Sequence, residues 1–497
     1  MNEDDPLQIT KKNIKGWYFY SFSSEPFIVS AVSTYIPLLL EQFARINGVK
    51  LNDHSQPCII APATHSTDKC VVPLFNGSLF VDTSSFALYT FSISVLFQTV
   101  MVITVSGIVD ILNSIRFKGL TLVTFSILGA LSTIYISQLS FDQIYTLPLL
   151  CIIANSCYGV INVVGNSLLP IFISDLTKYG NGGEEEDENS SLISDTNEKL
   201  TNIISGRGAS IGYSSALIVQ LISMALVGKS KSRENIQIAV LFVGIWWIIW
   251  QLPMLWLLRD INENPQTIPH SIPISSLKYG WWSLYESFKN AKLLKDVMIF
   301  LLGWFIISDS LTTINSTAIL FSRTELSMSA VNLIAISIIT MIMAMIGAFI
   351  IPNYLAKKFN WLPHRTLVYI ICWSSFIPFY GMLGFFFQSI GLKHKFEMYA
   401  LAVWYGLSLG GLAAVSRTVF SLIIPKGKES TFFSMFSITD KGSSIVGPSL
   451  VGLITDKTHN IRYSFFLLFG LLVVSLPIFS SLDVKRGKRE AEELSKI

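Results

Sequence analysis

Glu25 lies inside residues 17–40, an apolar stretch long enough to cross a bilayer as one helix, and Pro26 follows it at once. A charge at membrane depth costs about 2.5–3.5 kcal/mol on insertion scales, so such an acid faces a bundle interior or an aqueous cavity. There it can carry a proton, hold a substrate amine, or pair structurally with a neighbouring helix. Other polar groups fall at the same depth: Asp309, Arg207, Arg417, the pair Asp440-Lys441, and Asn155, Asn162 and Asn166. The asparagines are spaced by seven and by four, which puts them on one helix face. Amides on one face suit helix–helix hydrogen bonds or a polar cavity wall. Arg207 and Lys441 lie toward the ends of their spans, where a long basic side chain can snorkel. They are expected, with Asp440, to form an ion pair or gate. Arg417 is expected either to hold a carboxylate or to pair with Asp440.

Enzyme chemistry fits poorly. Gly228-Lys229-Ser230 has Ser223 where a phosphate loop needs its first glycine, so an ATP-driven pump is not indicated. Gly206, Gly208 and Gly212 are one residue too widely spaced for a dinucleotide loop. HExxH and GxSxG are absent. No enzyme activity, cofactor, metal or nucleic-acid partner is expected.

The elements that position these groups are membrane spans. Of 497 residues, 51% are hydrophobic and 14% charged, with a mean hydropathy of +0.53. A soluble chain carries about 25% charged residues. Twelve apolar runs are predicted as spans: 17–41, 84–109, 119–138, 146–174, 204–227, 237–258, 296–320, 328–352, 365–389, 397–424, 431–455 and 462–482. An even count puts both termini on one side. A two-to-one excess of Lys and Arg marks that side as cytosolic. No cleavable signal peptide is read. The histidines all fall outside the predicted spans, which argues against a buried histidine relay.

The expected organisation is an N-terminal tail (1–16), a six-helix half (17–258), a linker (259–295), a second six-helix half (296–482) and a charged, solvated C-terminal tail (483–497). Within the first half lie a luminal loop (43–83) and an acidic cytosolic loop (175–203) with the run Glu184 to Glu188. The linker starts Pro-rich and ends in a stretch, 278–294, with Trp281, Leu284, Tyr285, Phe288 and Ala291 at helical spacing. That stretch fits an interfacial helix or an extension of span seven. In the luminal loop, Cys58 and Cys70 are placed to form a disulfide if the loop enters an oxidising lumen. Asn76-Gly77-Ser78 is a glycosylation sequon.

Spans five and eleven repeat one text. Ser205-Gly206-Arg207-Gly208-Ala209-Ser210-Ile211 matches Thr439-Asp440-Lys441-Gly442-Ser443-Ser444-Ile445. Spans one and seven agree more loosely, with Ser24-Glu25 set against Ser308-Asp309. Two parallel six-helix repeats about a vertical pseudo-twofold axis are predicted. This is an all-α membrane protein of the major facilitator fold, with its binding site between the halves near the midplane. Glycines of spans ten and eleven (Gly406, Gly410, Gly411, Gly442, Gly447, Gly452) suit close helix packing. Between spans two and three, Gly107, Asp110, Arg116, Lys118 and Gly119 have the composition of a transporter loop signature but imperfect spacing, which counts against a gate there.

Several long motifs carry a family resemblance: residues 15–37, Ile161 to Pro170, 205–215, 432–448 and Asp456 to Tyr463. They closely resemble the fungal autophagy-related protein 22 family over nearly the whole chain. The resemblance implies a vacuolar membrane effluxer that returns amino acids such as leucine, isoleucine and tyrosine to the cytosol after autophagic breakdown. It supplies no ligand residues. From the residues themselves, Glu25 and Asp309 are candidates for a proton or a substrate ammonium, and Arg417 for a substrate carboxylate. Asn162 and Asn166 are candidate wall residues, and Tyr18, Tyr20, Trp304 and Phe305 candidate pocket aromatics. A monomer embedded in lipid suffices for this reading. A facilitator for another small solute, or a non-transporting protein on the same scaffold, stays open.

Overall fold

A computed structural model describes residues 5–494, except 51–53, 59–69, 75–76, 78, 113, 181–189, 228–232, 262–273, 290–293, 327, 329, 444–445 and 459. Among the described residues, eleven helices are long and apolar enough to cross a membrane. The expected span 431–455 is built from two helices, Glu429–Ser443 and Val446–Thr458, each too short alone. We number the spans one to twelve with that pair as span eleven. The others are Pro6–Ile46, Thr83–Leu112, Ile115–Ile136, Thr146–Gly180, Ser190–Val227, Arg233–Gln251 (continued by Met254–Leu257), Lys295–Thr324, Ala330–Ile350, Pro363–Leu383, Lys395–Ile423 and Ser464–Ser480.

Several boundaries differ from the sequence reading. Span four runs on to Gly180 and span five starts at Ser190, so the acidic loop expected over 175–203 is helical on both sides of 181–189, which lie outside the described residues. Span one starts at Pro6, not Trp17. Asp5 caps it by accepting the Leu7 N–H at 3.1 Å, and proline is well tolerated at a first helical position. The buried Asn13 amide exchanges two hydrogen bonds, both 2.9 Å, with the Arg259 backbone at the end of span six. The polar composition of 6–16 hid this helix. His364 stands in the first turn of span nine, so one histidine does lie on a span helix. The C-terminal segment is not a solvated tail. It forms the helix Val484–Leu494, which buries Val484, Gly487, Ala491 and Leu494.

Span one changes winding after Pro26. Phe27–Tyr35 is π-helical before α-helix resumes at Ile36. Proline has no N–H to give the carbonyl four residues back, that of Phe22. Neighbours take that carbonyl: Ser215 Oγ of span five in a short contact, and Trp246 Nε1 of span six at 3.2 Å. In a membrane such a freed group must find a protein partner.

The loop after span one carries an antiparallel sheet, β1 (Val49–Lys50), β2 (Cys70–Leu74) and β3 (Leu79–Asp82), in the order β1-β2-β3. Val71 pairs with Val49 on one side and Asp82 on the other. Cys58 is disulfide-bonded, while Cys151, Cys157 and Cys372 are free thiols. The Cys70 side chain and Asn76 lie outside the described residues. The linker forms a separate helix, Ile274–Lys289, packed against span two. Its Trp281 donates to Thr104 Oγ1 at 3.1 Å, and Gly280 meets the backbone of Ile103 and Gly107 directly.

Spans one to six pack together, as do seven to twelve. The two sets meet where span five lies on spans eight and ten, and span eleven on spans two and four. Both chain ends lie on one face, the terminal face; the sheet lies on the other, because one further span separates it from Pro6.

Candidate functional site

Span one delivers its side chains into room made by glycines on spans four and five. Glu25 lies on Gly212, whose added Cβ would sit 3.4 Å from the Glu25 Cβ and Cγ. Trp17 covers Gly208, where a Cβ would be 2.7 Å from the indole Cη2. Its Nε1 donates to the Gly165 carbonyl at 2.7 Å. The Tyr20 ring lies over the same Gly165.

Glu25 is half-buried, and among the described residues its carboxylate takes no hydrogen bond. Its charged neighbours are Arg417 and Lys441, both from the second half. Arg417 of span ten holds its guanidinium 6.0 Å from the Trp17 ring centroid. Among the described residues, its Nη1 is buried without a hydrogen-bond partner, as is the Oγ of Ser416. Tyr20, Tyr158 and Tyr213 also lie within electrostatic reach of both Glu25 and Arg417. An acid and a base from opposite halves therefore lie within electrostatic reach of each other and of three phenols.

The span-four asparagines divide. Asn155 donates to Ser94 Oγ (2.9 Å) and Gln98 Oε1 (3.1 Å), which ties spans two and four together. Asn166 donates to Asn162 Oδ1 at 2.9 Å, and Asn162 makes a long 3.4 Å contact to the Tyr158 hydroxyl. The Asn166 Oδ1 is buried and unpartnered. Buried polar atoms without partners are costly and rare, so Asn166 has hydrogen-bonding capacity to spare.

Asp309 is placed differently. Its Oδ1 accepts the Gly447 N–H at 2.8 Å, and a Cβ on Gly447 would lie 2.8 and 2.9 Å from its two oxygens. It holds span seven to span eleven. Ser308 donates to Asp440 Oδ1 at 2.7 Å, and Lys441 lies 3.8 Å from Asp440. Arg207 is exposed, with its charge close to the Tyr18 hydroxyl. Trp304 stacks on Phe436 at 5.0 Å, in an aromatic core with Phe300 and Phe420, rather than on the space beside Glu25.

Sequence reasoning discounted the loop after span two. The structure closes the terminal face there. Buried Asp110 accepts the Ser430 N–H at 2.9 Å and the Thr431 N–H at 2.7 Å, both in the first turn of span eleven. A carboxylate at a helix N-terminus meets unpaired donors and the positive end of the macrodipole. Fully buried Lys118 stands 4.0 Å from Glu429, and Ser430 Oγ donates to Ser167 Oγ at 3.0 Å. Ser205 Oγ donates to the Ala414 carbonyl at 2.8 Å. The signal was Asp110 itself: a bond to backbone N–H groups needs no basic partner at fixed spacing.

Comparison with known proteins adds the family. The description "Vacuole effluxer Atg22 like" matches residues 9–492. "Autophagy-related protein 22" of Saccharomyces cerevisiae is 63% identical, covering 99% of this chain and 95% of that protein. The Vanderwaltozyma polyspora protein of the same name is 62% identical with the same coverage. Among solved structures, the fucose:proton symporter family member FucP in the outward conformation aligns with a TM-score of 0.62 at 13% identity, covering 95% of this chain and 98% of FucP. A bacterial homologue of the iron transporter ferroportin, outward-facing, gives 0.60 at 12% identity, covering 95% and 99%. These likenesses show the major facilitator fold.

Proposed function

We infer, since the chain belongs to the vacuole effluxer Atg22-like family, that it is a secondary transporter releasing amino acids from the vacuole lumen to the cytosol. The amino acids implied are leucine, isoleucine, tyrosine and similar, the products of autophagic degradation. The terminal face is cytosolic in this reading, which agrees with the two-to-one bias of Lys and Arg. The sheet face is luminal, where an oxidised Cys58 is expected and where Cys70 is its proposed partner. Asn76 would carry a glycan on the same side.

One observation carries the substrate class. Glu25 and Arg417 come from opposite halves, and each has hydrogen-bonding capacity left over. An amino-acid zwitterion needs an anion for its ammonium and a cation for its carboxylate. Arg417 offers a planar fork for the carboxylate, and Glu25 receives the ammonium or a proton. Asn162, Asn166 and the phenols of Tyr20, Tyr158 and Tyr213 complete the wall. Bringing both ends of one ligand together draws the halves toward each other, as alternating access requires. The other assigned groups stand outside the Glu25 and Arg417 pair: Asp309 joins spans seven and eleven, while Arg207, Asp440 and Lys441, the last a charged neighbour of Glu25, set the charge on the terminal side.

The test is uptake and efflux of labelled leucine in proteoliposomes, with and without a pH gradient. Saturable transport, accelerated by an acidic luminal side and lost in Arg417→Gln, is the expected result. Leucine flux equal to that of empty liposomes would remove the substrate assignment.

A further inference from the structure

The helix Val484–Leu494 belongs to the second half by its anchor and touches the first half by its next turn. Asp296, in the first turn of span seven, is fully buried. Its carboxylate accepts the Asp483 N–H at 2.9 Å and a two-pronged bond from Arg486, Nε at 2.6 Å and Nη2 at 2.7 Å. This hydrogen bond to Asp296 holds the Arg486 guanidinium above its ordinary range. Gly487 lets the helix sit against span ten, since a Cβ there would lie 2.8 Å from Ile423 Cγ2 and 3.1 Å from the Asp296 Cβ. A paired fork and a close backbone approach fix the helix in orientation as well as position.

So fixed, the helix points Lys488 at the other half. Its Nζ reaches Glu198 Oε1 at 3.0 Å. Glu198 lies in the helix Ser190–Val227 of span five and is almost wholly buried, with its side chain 3% exposed. A carboxylate buried to that degree requires a partner. Beside it, Lys199 donates to Asn360 Oδ1 at 2.7 Å, a second link from span five to the second half. His364 lies within electrostatic reach of Glu198, Arg365 and Asp483.

We propose that the C-terminal helix is a latch across the terminal face. It rides on the second half through Asp296 and holds the first half through Lys488 and Glu198. The pair must part before that face opens. Once the halves separate, water solvates both charges, so the latch biases the equilibrium without locking it.

The test uses the full chain in proteoliposomes, with nitroxide labels on exposed residues 116 and 358, one in each half, and distances read by double electron–electron resonance without substrate. Glu198→Gln and Lys488→Gln should each raise the long-distance population about two- to fivefold, the upper part of the range of one ion pair on a two-state equilibrium. Arg486→Ala should do the same with Lys488 and Glu198 intact. The double variant Glu198→Lys with Lys488→Glu should return the distribution toward that of the parent chain. Unchanged distances in the single variants, or a charge swap that opens the face further, would overturn the latch. Because no ligand is present, these outcomes are independent of the proposed substrate.

Discussion

Glu25 and Asp309 occupy matching places in the two halves and do different work. Each follows a serine in the first span of its half. Glu25 rests on Gly212 and leaves its carboxylate without a hydrogen bond among the described residues. Asp309 spends an oxygen on the Gly447 N–H. The matched glycines of the repeated text differ in the opposite sense: Gly208 is covered by Trp17, while a Cβ on Gly442 would meet nothing within 4 Å among the described residues. Alike in sequence position, the two acids differ in the neighbour that reaches each.

The sharpest way to break that comparison is to neutralise each acid in turn. Glu25→Gln should lower pH-dependent leucine efflux by about 100-fold, the scale of a charged hydrogen bond lost from a desolvated site. Asp309→Asn keeps an oxygen for Gly447 and should lose less than about tenfold. Equal losses in the vesicle assay would erase the distinction.

A stability series follows. Gly447→Ala drives a methyl group into Thr313 and both Asp309 oxygens and should cost about 1–3 kcal/mol. Gly208→Ala, pressing on Trp17, should cost a similar amount. Gly442→Ala meets open space and should leave the thermal midpoint unchanged within error. A destabilised Gly442 variant would mean that the halves are more alike than their packing indicates.

On the terminal face, Asp110→Asn keeps an acceptor but loses the charge at the start of span eleven. About 0.3–2 kcal/mol of closed-state preference should go with it. Protection of a cysteine at residue 437 from a membrane-impermeant maleimide measures that shift. The smallest effect is expected for Ser215→Ala, about 0.6 kcal/mol by thermal unfolding in detergent, because Trp246 still serves the Phe22 carbonyl.

The spans and the doubled text were readable because apolar runs and a repeated seven-residue pattern are one-dimensional signals. The acid on span one was readable because a charge in hydrocarbon is conspicuous. Asp309 shows what is not: its role depends on where Gly447, 138 residues away, arrives in space. The Val484–Leu494 helix was misread for a related reason. Its charges look solvated until Asp296 and Glu198 are placed beside them. The helix from Pro6 escaped notice because residues outside the bilayer carry no hydropathy signal, and Asn13 needs Arg259 to explain it.

Pro26 has a consequence for motion. It strips one hydrogen bond from span one at mid-membrane, and the carbonyl left over is clasped by Ser215 and Trp246 on spans five and six. That rivets span one to its own half where it would otherwise be weakest. Glu25, one residue before the proline, therefore travels as cargo of a rigid body. In the proposed cycle the separation of residues 25 and 417 becomes a ruler, short when the halves clasp a solute and long when they part.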